Sequence, residues 1–123
     1  ALGWDIVGAN VRLRGDGDFP GLPGELDLIA NQAGTMVFLE VKTRCGLVGD
    51  VHPEVSVSVG KQRQIARLAL AWLARTGALN APDPPPVRFD VISVVLDPEL
   101  RVRQLIHRRG AFNTDNLSDG WDD

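Results

Sequence analysis

The sequence has few of the residues and segments that mark secreted or membrane proteins. It contains one cysteine, Cys45, among 123 residues, so a disulfide within this chain is excluded. No apolar run approaches the roughly 20 residues that a membrane-spanning helix needs, and no charged segment followed by an apolar stretch indicates a signal peptide. The sequence therefore predicts a protein of the reducing cytoplasm, in which Cys45 is a passive small residue rather than a catalytic thiol.

Acidic residues are concentrated at the C-terminal end of the chain. The formal net charge is −3, but four of the 16 acidic residues lie in residues 115–123, which contain no basic residue. The remaining chain has 13 basic and 12 acidic residues, so the overall charge neither favours nor excludes a nucleic-acid ligand. With a hydrophobic content of 44%, the composition predicts one domain over residues 1–112 and a disordered acidic tail over residues 113–123.

Alternation and helical periodicity predict five strands and one dominant helix. The helix is expected over residues 59–76, where apolar residues recur at helical spacing and Gly77 provides a stop. The strands are expected over residues 5–14, 24–30, 36–43, 87–96 and 101–108. This order, βββαββ, predicts an α/β protein with a mixed sheet flanked by helices.

Charged side chains interrupt the two apolar strands of a predicted hairpin. Because side chains alternate along a strand, Glu25 and Asp27 share one face of the first strand, and Glu40 and Lys42 share one face of the second. Burying such groups without partners costs several kcal/mol. We therefore expect a metal ion and a substrate to complete a site at this point of the sheet.

The turn at residues 31–34 allows two registers that differ by two residues. They place Asp27 opposite either Phe38 or Glu40, and both keep the charged groups on one face of the sheet. A slip of one residue would separate them. The apolar alternates are expected to form the opposite, core-facing surface, and they are Leu26, Leu28, Val37, Leu39 and Val41.

The four charged side chains suit metal-assisted hydrolysis of a phosphodiester. Asp27 and Glu40 provide the hard oxygen ligands that Mg²⁺, or Mn²⁺ in its place, prefers. Lys42 would orient or help deprotonate the attacking water and offset charge that develops on the phosphate. Glu25 has two interpretations, since it either completes the metal site or is a strand-entry residue at the solvent edge.

Other polar residues have simpler interpretations. Asp90 is expected to pair with Arg88 or a neighbouring backbone group rather than bind metal. His52 and His107 are expected to lie on the solvated surface. The arginines of residues 101–109 either contact phosphates or protect an edge strand from aggregation.

Several runs of the sequence resemble the YraN-type family of uncharacterised bacterial proteins. They are GELDLIA at 24–30, FLEVKTR at 38–44, KQ at 61–62, WL at 72–73 and RFDVI at 88–92. That family is similar to archaeal Holliday junction resolvases of the PD-(D/E)XK nuclease superfamily. The resemblance implies a restriction-endonuclease-like fold and a Mg²⁺-dependent endonuclease that acts, as a homodimer, on branched or structured DNA. A catalytically inactive module that binds nucleic acid or a protein partner is the alternative.

The resemblance also assigns roles to individual residues. Asp27 and Glu40 match the metal-binding acids, Glu25 matches the Gly-Glu-x-Asp pattern, Lys42 matches the catalytic lysine and Gln62 matches a glutamine close to the active site. Two features depart from the family: this chain starts where an N-terminal helix with a further acid would end, and the loop before Lys61 is less basic.

Basic residues near the proposed site are candidate nucleic-acid contacts. Lys61, Arg63 and Arg67 lie in the first half of the predicted helix, which has no acidic residue, and Arg44 follows Lys42. For the helix residues, an ordinary solvated face is the alternative interpretation.

Overall fold

The computed structural model describes residues 3–15, 17, 20–46 and 56–113, so His52 and nearly all of the expected acidic tail lie outside the described residues. The strands are β1 (Trp4–Val11), β2 (Leu26–Gln32), β3 (Thr35–Cys45), β4 (Val87–Leu96) and β5 (Val102–Phe112). Helix α1 spans Val59–Arg75, and a short 3₁₀ helix spans Ala78–Asn80. The predicted helix and the five strands are confirmed, with β5 four residues longer at its C-terminal end than expected.

The five strands form one mixed sheet in the order β1-β2-β3-β4-β5. Strands β3 and β4 are parallel, and the other neighbouring pairs are antiparallel. The parallel pair requires a crossover, which α1 provides. The chain is therefore an α/β protein with a mixed sheet, and within the described ranges α1 is the one α-helix on it.

The hairpin between β2 and β3 closes on two residues rather than four. Gln32 lies opposite Thr35, so Ala33 and Gly34 form the turn with φ angles of 49° and 89°. Positive φ at both central positions is typical of the tight hairpin turn whose twist matches the strands. The side chain of Asn31 accepts a 3.0 Å hydrogen bond from the Gly34 N–H. Of the two registers expected from the sequence, the second is observed.

The main hydrophobic core lies between α1 and the face of the sheet that also carries the charged residues. Phe38 alternates with Glu40 on that face, is 1% exposed, and meets Trp72 edge-on at a ring separation of 5.9 Å. Side chains of α1 complete this core, among them Ile65, Ala66, Leu68, Ala69 and Leu73. The first turn of α1 therefore lies beside the charged residues of β3.

The expectation that the apolar alternates form the main core-facing surface is confirmed for Leu26, which lies in the main core, and is wrong for Leu28, Val37 and Leu39. Ala30, Val37 and Leu39 form a smaller cluster on the opposite face, packed with partly buried Trp4, Leu28 and Ile92. The larger side chains Ile29 and Phe38 lie on the face of the acids and are covered by the helix. Both faces of β2 and β3 are thus apolar, and the position of the helix decides which one holds the main core.

Candidate active site

Asp27 and Glu40 lie opposite each other on two neighbouring strands at the centre of the sheet. The antiparallel ladder of β2 and β3 runs from Gln32–Thr35 to Leu28–Leu39, and the next pair in this register is Asp27–Glu40. At this position a side chain, and not a backbone carbonyl, bonds the neighbouring strand: Asp27 Oδ2 accepts a 2.9 Å hydrogen bond from the Val41 N–H. The two acids therefore lie just beyond the last backbone-paired residues of β2 and β3, on the face of the sheet that α1 covers.

The environment of Glu40 disfavours its charged form. Its side chain is 13% exposed. Burial raises the pKa of Glu40 above its ordinary value of 4.5, and the neighbouring charge of Asp27 raises it further, while Lys61 and Lys42 oppose the shift. Two carboxylates forced together in this way stabilise a shared proton or a shared cation.

Two lysines flank Glu40, and they are the only lysines in the chain. Lys61 Nζ, on the first turn of α1, lies 3.8 Å from Glu40 Oε1. Lys42 is two residues beyond Glu40 on the same face, and its charge also lowers the pKa of Glu40. Lys42 forms no hydrogen bond or close ion pair with any residue that the structure describes, so its ammonium is available to a ligand.

Glu25 and Gln62 make other contacts at the edges of this site. Glu25 Oε2 lies 3.3 Å from Arg12 Nε, in an ion pair at the sheet surface. Gln62 Nε2 donates a 2.8 Å hydrogen bond to the Val57 carbonyl and so holds the entry to α1. The role of Glu25 as a metal ligand and that of Gln62 in catalysis stay predictions, and their observed contacts are structural.

A divalent cation site at this position would use two protein carboxylates. In the described part of the chain no three histidine, cysteine, aspartate or glutamate side chains converge on one point. Mg²⁺ binds through one or two carboxylates and fills its octahedron with waters and substrate phosphates. The donor set of Asp27 and Glu40, with its unfavourable pairing of two acids, fits such an ion.

Basic residues surround the start of α1, which has no acidic residue in its first turn. Arg63 and Arg67 line a cavity of about 330 Å³ together with Leu22, Pro23, Gly60, Gln64 and Leu68. Among the described residues, the Nε atom of Arg63 is buried without a hydrogen-bond partner. Arg44 is exposed near the end of β3. Lys61 lies in the first turn of α1, where a cation opposes the helix dipole.

Ser93 is a buried polar residue beside the site that sequence reasoning missed. It lies opposite Lys42 in the parallel register of β3 and β4 and is 0% exposed. Its hydroxyl has no hydrogen-bond partner among the residues that the structure describes. A serine inside the run Val87–Leu96 was the available signal, but a strand register is needed to place it next to Lys42.

Comparison with known proteins identifies the family. The uncharacterised protein family UPF0102 matches residues 1–94. The chain belongs to UPF0102. A UPF0102 protein of Symbiobacterium thermophilum is 45% identical over 103 residues, which are 84% of this chain and 76% of that protein. A relative from a Parafrankia strain is 41% identical over 91% of this chain and 83% of its own length.

The other relatives carry the same family name and are somewhat longer than this chain. A UPF0102 protein of Geobacter sulfurreducens is 41% identical over 80% of this chain and 67% of that protein. For a relative from Geotalea uraniireducens, the covered share of its length is 65%. This UPF0102 chain therefore spans about two thirds to four fifths of the length of these relatives. None of its described helices has the length and apolarity needed to cross a membrane.

A second polar cluster of this UPF0102 chain lies on the opposite face of the sheet and is centred on Asp90, which is 0% exposed. Arg88 donates two hydrogen bonds to the Asp90 carboxylate, at 2.9 Å from Nε and 3.1 Å from Nη2. The Gly110 N–H donates a third at 3.0 Å, and His107 Nε2 lies 2.8 Å from Oδ2. The predicted pairing of Asp90 with Arg88 is confirmed, but the prediction of a solvated His107 is wrong, because β5 turns that ring toward Asp90.

Hydrogen bonding explains why Asp90 is charged despite its burial. Burial is the largest influence and raises the pKa of Asp90, but the hydrogen bonds from Arg88, the Gly110 N–H and His107 outweigh it. The pKa of Asp90 is therefore lowered from its ordinary value of 3.8. The aromatic ring of Trp4 closes this cluster, with the Arg88 and Arg109 guanidinium groups each 5.5 Å from its centre. The cluster joins β1, β4 and β5 and has a structural role.

Proposed function

We propose that this UPF0102 chain is a Mg²⁺-dependent endonuclease that hydrolyses phosphodiester bonds in branched or structured DNA. The observation that carries this proposal is the pair Asp27 and Glu40, placed side by side at the centre of the sheet with the pKa of Glu40 raised. Besides burial, the repulsion between the two acids raises the pKa of Glu40, and the hydrogen bond of Asp27 with Val41 and the ion pair of Glu40 with Lys61 do not remove this repulsion. A divalent cation would relieve their repulsion.

The residues divide the work of hydrolysis between them. Asp27 and Glu40 hold the cation, which when bound polarises the phosphodiester and favours deprotonation of water. Lys42 extends on the same face as Glu40, where its ammonium orients the attacking water and offsets the charge that develops on the phosphate. Lys61, which lies 3.8 Å from Glu40, would bind a DNA phosphate if Glu40 held a cation instead.

The bases near the start of α1 support DNA as the substrate class. Lys61 adds positive charge to the N-terminus of α1, which itself attracts phosphates, and Arg63 and Arg67 extend this charge along the first half of the helix. A polyanionic ligand would be attracted by all three bases. Arg44, exposed near the end of β3, extends the basic surface beyond Lys42.

The proposal extends to the fold family, the oligomeric state and the cellular location of the protein. A restriction-endonuclease-like fold is supported by acids on β2 and β3 and by the α1 crossover to a parallel β4. A homodimer suits a four-way junction, which presents two symmetric positions for cleavage. DNA as substrate places the protein in the cytoplasm.

A non-catalytic module that binds nucleic acid or a protein partner is the second candidate. Two contacts favour it, namely the ion pair of Glu25 with Arg12 and that of Glu40 with Lys61. In such a module Lys61 would neutralise Glu40 permanently, and no metal would bind.

Calorimetric titration with Mn²⁺ separates these candidates. Wild type, Glu40→Gln and the surface control Glu99→Gln are titrated and then mixed with junction, flap and linear DNA of equal length. We expect wild type and the control to bind Mn²⁺ and to cut the junction, and Glu40→Gln to lose both. Wild type that binds DNA without binding metal would favour a non-catalytic nucleic-acid-binding module. Wild type that binds neither would contradict the nuclease and leave the module that binds a protein partner.

A further inference from the structure

Arg108 lies in the same transverse row of the sheet as the two acids. Glu40 of β3 is opposite Val91 of β4, and Val91 is opposite Arg108 of β5. Residues opposite each other in a sheet project from the same face. Arg108 is therefore on the face of Glu40, two strands away, which is about 10 Å at the usual strand spacing of about 4.8 Å.

The guanidinium of Arg108 has no partner in the described part of the chain, whereas neighbouring arginines of β5 do. Arg103 Nε donates a 2.8 Å hydrogen bond to Asp97, and Arg109 stacks over Trp4 on the opposite face. Arg108 itself is exposed and makes no hydrogen bond or ion pair with a described residue. Its charge is available to a ligand approaching the face that carries Glu40.

No acidic residue of β5 opposes an anion that approaches Arg108. Residues 100–113 contain no acidic side chain. Along β5, Gln104 and Ile106 share the face of Arg108 and are exposed as well. The acids thus have Lys61 on the α1 side and Arg108 on the β5 side, so positive charge is available on both sides of a strand of DNA that crosses Glu40.

We infer that Arg108 binds a backbone phosphate of the DNA substrate close to the bond that is cut. The separation from Glu40 corresponds to about three nucleotides, at about 3.4 Å of rise for each. This inference rests on the proposed function and adds β5 to its DNA-binding surface. A purely protective role for the edge-strand bases would apply equally to Arg108 and Arg109.

The test compares substitutions at these two adjacent arginines. Binding of a fluorescent four-way junction to wild type, Arg108→Gln, Arg108→Lys and Arg109→Gln is measured by anisotropy without divalent metal, between 50 and 200 mM salt. We expect Arg108→Gln to weaken binding and to reduce the slope of log affinity against log salt by about 1. The difference from wild type should then shrink about threefold over this salt range.

The other variants fix the interpretation. Arg108→Lys should retain the salt slope of wild type, because it keeps the charge, and Arg109→Gln should retain it because its side chain lies on the other face. Melting curves are recorded for all four proteins, so a loss of binding that accompanies unfolding is recognised. Equal effects of Arg108→Gln and Arg109→Gln, or no effect of either, would overturn the inference.

The two proposals fail in different ways. Wild type that binds and cuts DNA while Arg108→Gln binds equally well overturns the inference alone. Wild type that binds but does not cut, with Arg108→Gln binding more weakly, overturns the enzymatic part of the proposed function and supports the role of Arg108. Wild type without affinity for DNA overturns both.

Discussion

The backbone N–H of Val41 donates a 2.9 Å hydrogen bond to Oδ2 of Asp27 on the neighbouring strand. This bond fixes the carboxylate of Asp27 across the gap at the end of the β2–β3 ladder. Asp27 is thereby held in place next to Glu40 before any ligand binds.

Replacing Asp27 with asparagine should separate the structural role of this side chain from its charge. Asp27→Asn keeps an oxygen that accepts from Val41 but removes the negative charge, so we expect little change in melting temperature and at least a tenfold loss of Mn²⁺ affinity. Asp27→Ala loses the acceptor too and should be less stable than Asp27→Asn by about 1 kcal/mol. Thermal unfolding and calorimetry measure the two effects, with the exposed Asp83→Asn as the control. Unchanged Mn²⁺ affinity in Asp27→Asn would contradict the proposed metal site.

The raised pKa of Glu40 predicts a particular pH dependence of stability. The folded chain holds a proton on Glu40 at a pH where the unfolded chain, with a pKa near the ordinary 4.5, has lost it. The folded state then binds more protons, so the free energy of unfolding falls as pH rises from about 4.5 through the raised pKa. Glu40→Gln should lack this decrease.

Urea unfolding in a chelator at pH values from 4 to 8 tests the prediction for Glu40. The difference in free energy of unfolding between Glu40→Gln and wild type should grow in favour of the variant as pH rises. Glu99→Gln serves as the control, because its side chain is exposed on a turn. Parallel curves for wild type and Glu40→Gln would show that the carboxylate of Glu40 is not destabilised by its surroundings.

Breaking the Asp90 cluster should destabilise the fold strongly. Arg88→Ala leaves the buried carboxylate of Asp90 without its main partner, and we expect a loss of about 3–5 kcal/mol. Because the pKa of folded Asp90 is below 3.8, its stabilisation is present above the unfolded pKa and is lost as pH falls through the folded pKa. Asp90→Asn should therefore be less stable than wild type at neutral pH and less sensitive to acid. A loss below 1 kcal/mol in Arg88→Ala, measured by urea unfolding at pH 7, would contradict this account.

Removing the hydroxyl of Ser93 should not harm the fold. A buried hydroxyl without a partner costs about 1–3 kcal/mol, so Ser93→Ala should raise the free energy of unfolding by about 1 kcal/mol. Urea unfolding of wild type, Ser93→Ala and Ser93→Val measures this change, and Ser93→Val tests whether the position also accepts a larger apolar side chain. A destabilisation above 1 kcal/mol in Ser93→Ala would mean that the hydroxyl has a partner in solution.

Local patterns predicted the elements of this fold but not the register of its hairpin. The run Asn31-Gln32-Ala33-Gly34 indicated a turn without showing which two residues occupy it. In the structure Ala33 adopts a φ of 49°, a conformation that glycine or asparagine usually takes, so propensity alone points away from it. Both registers keep Ile29 and Phe38 on the face that α1 covers, so the pattern of apolar residues does not distinguish them either.

Long-range pairing explains what else the sequence left undetermined. His107 reaches Asp90 because a register shift between Phe89 and Val91, near the start of β4, brings the Gly110 N–H and the His107 ring to the same carboxylate. The positions of Ser93 and Arg108 relative to the candidate site likewise follow only from the pairing of their strands with neighbouring strands. By contrast, Asp27, Glu40 and Lys42 were predictable as a group because alternation within one short hairpin places them on one face.

Because both lysines of this sequence lie near Glu40, amine-reactive reagents would modify side chains close to this carboxylate. Acylation or reductive methylation would modify Lys42 and Lys61, which are the two lysines of this sequence. Mass spectrometry of the peptides would separate these two products. The rates at which Lys42 and Lys61 are labelled would thus report on the surroundings of the Glu40 carboxylate in the intact protein, without an enzymatic assay.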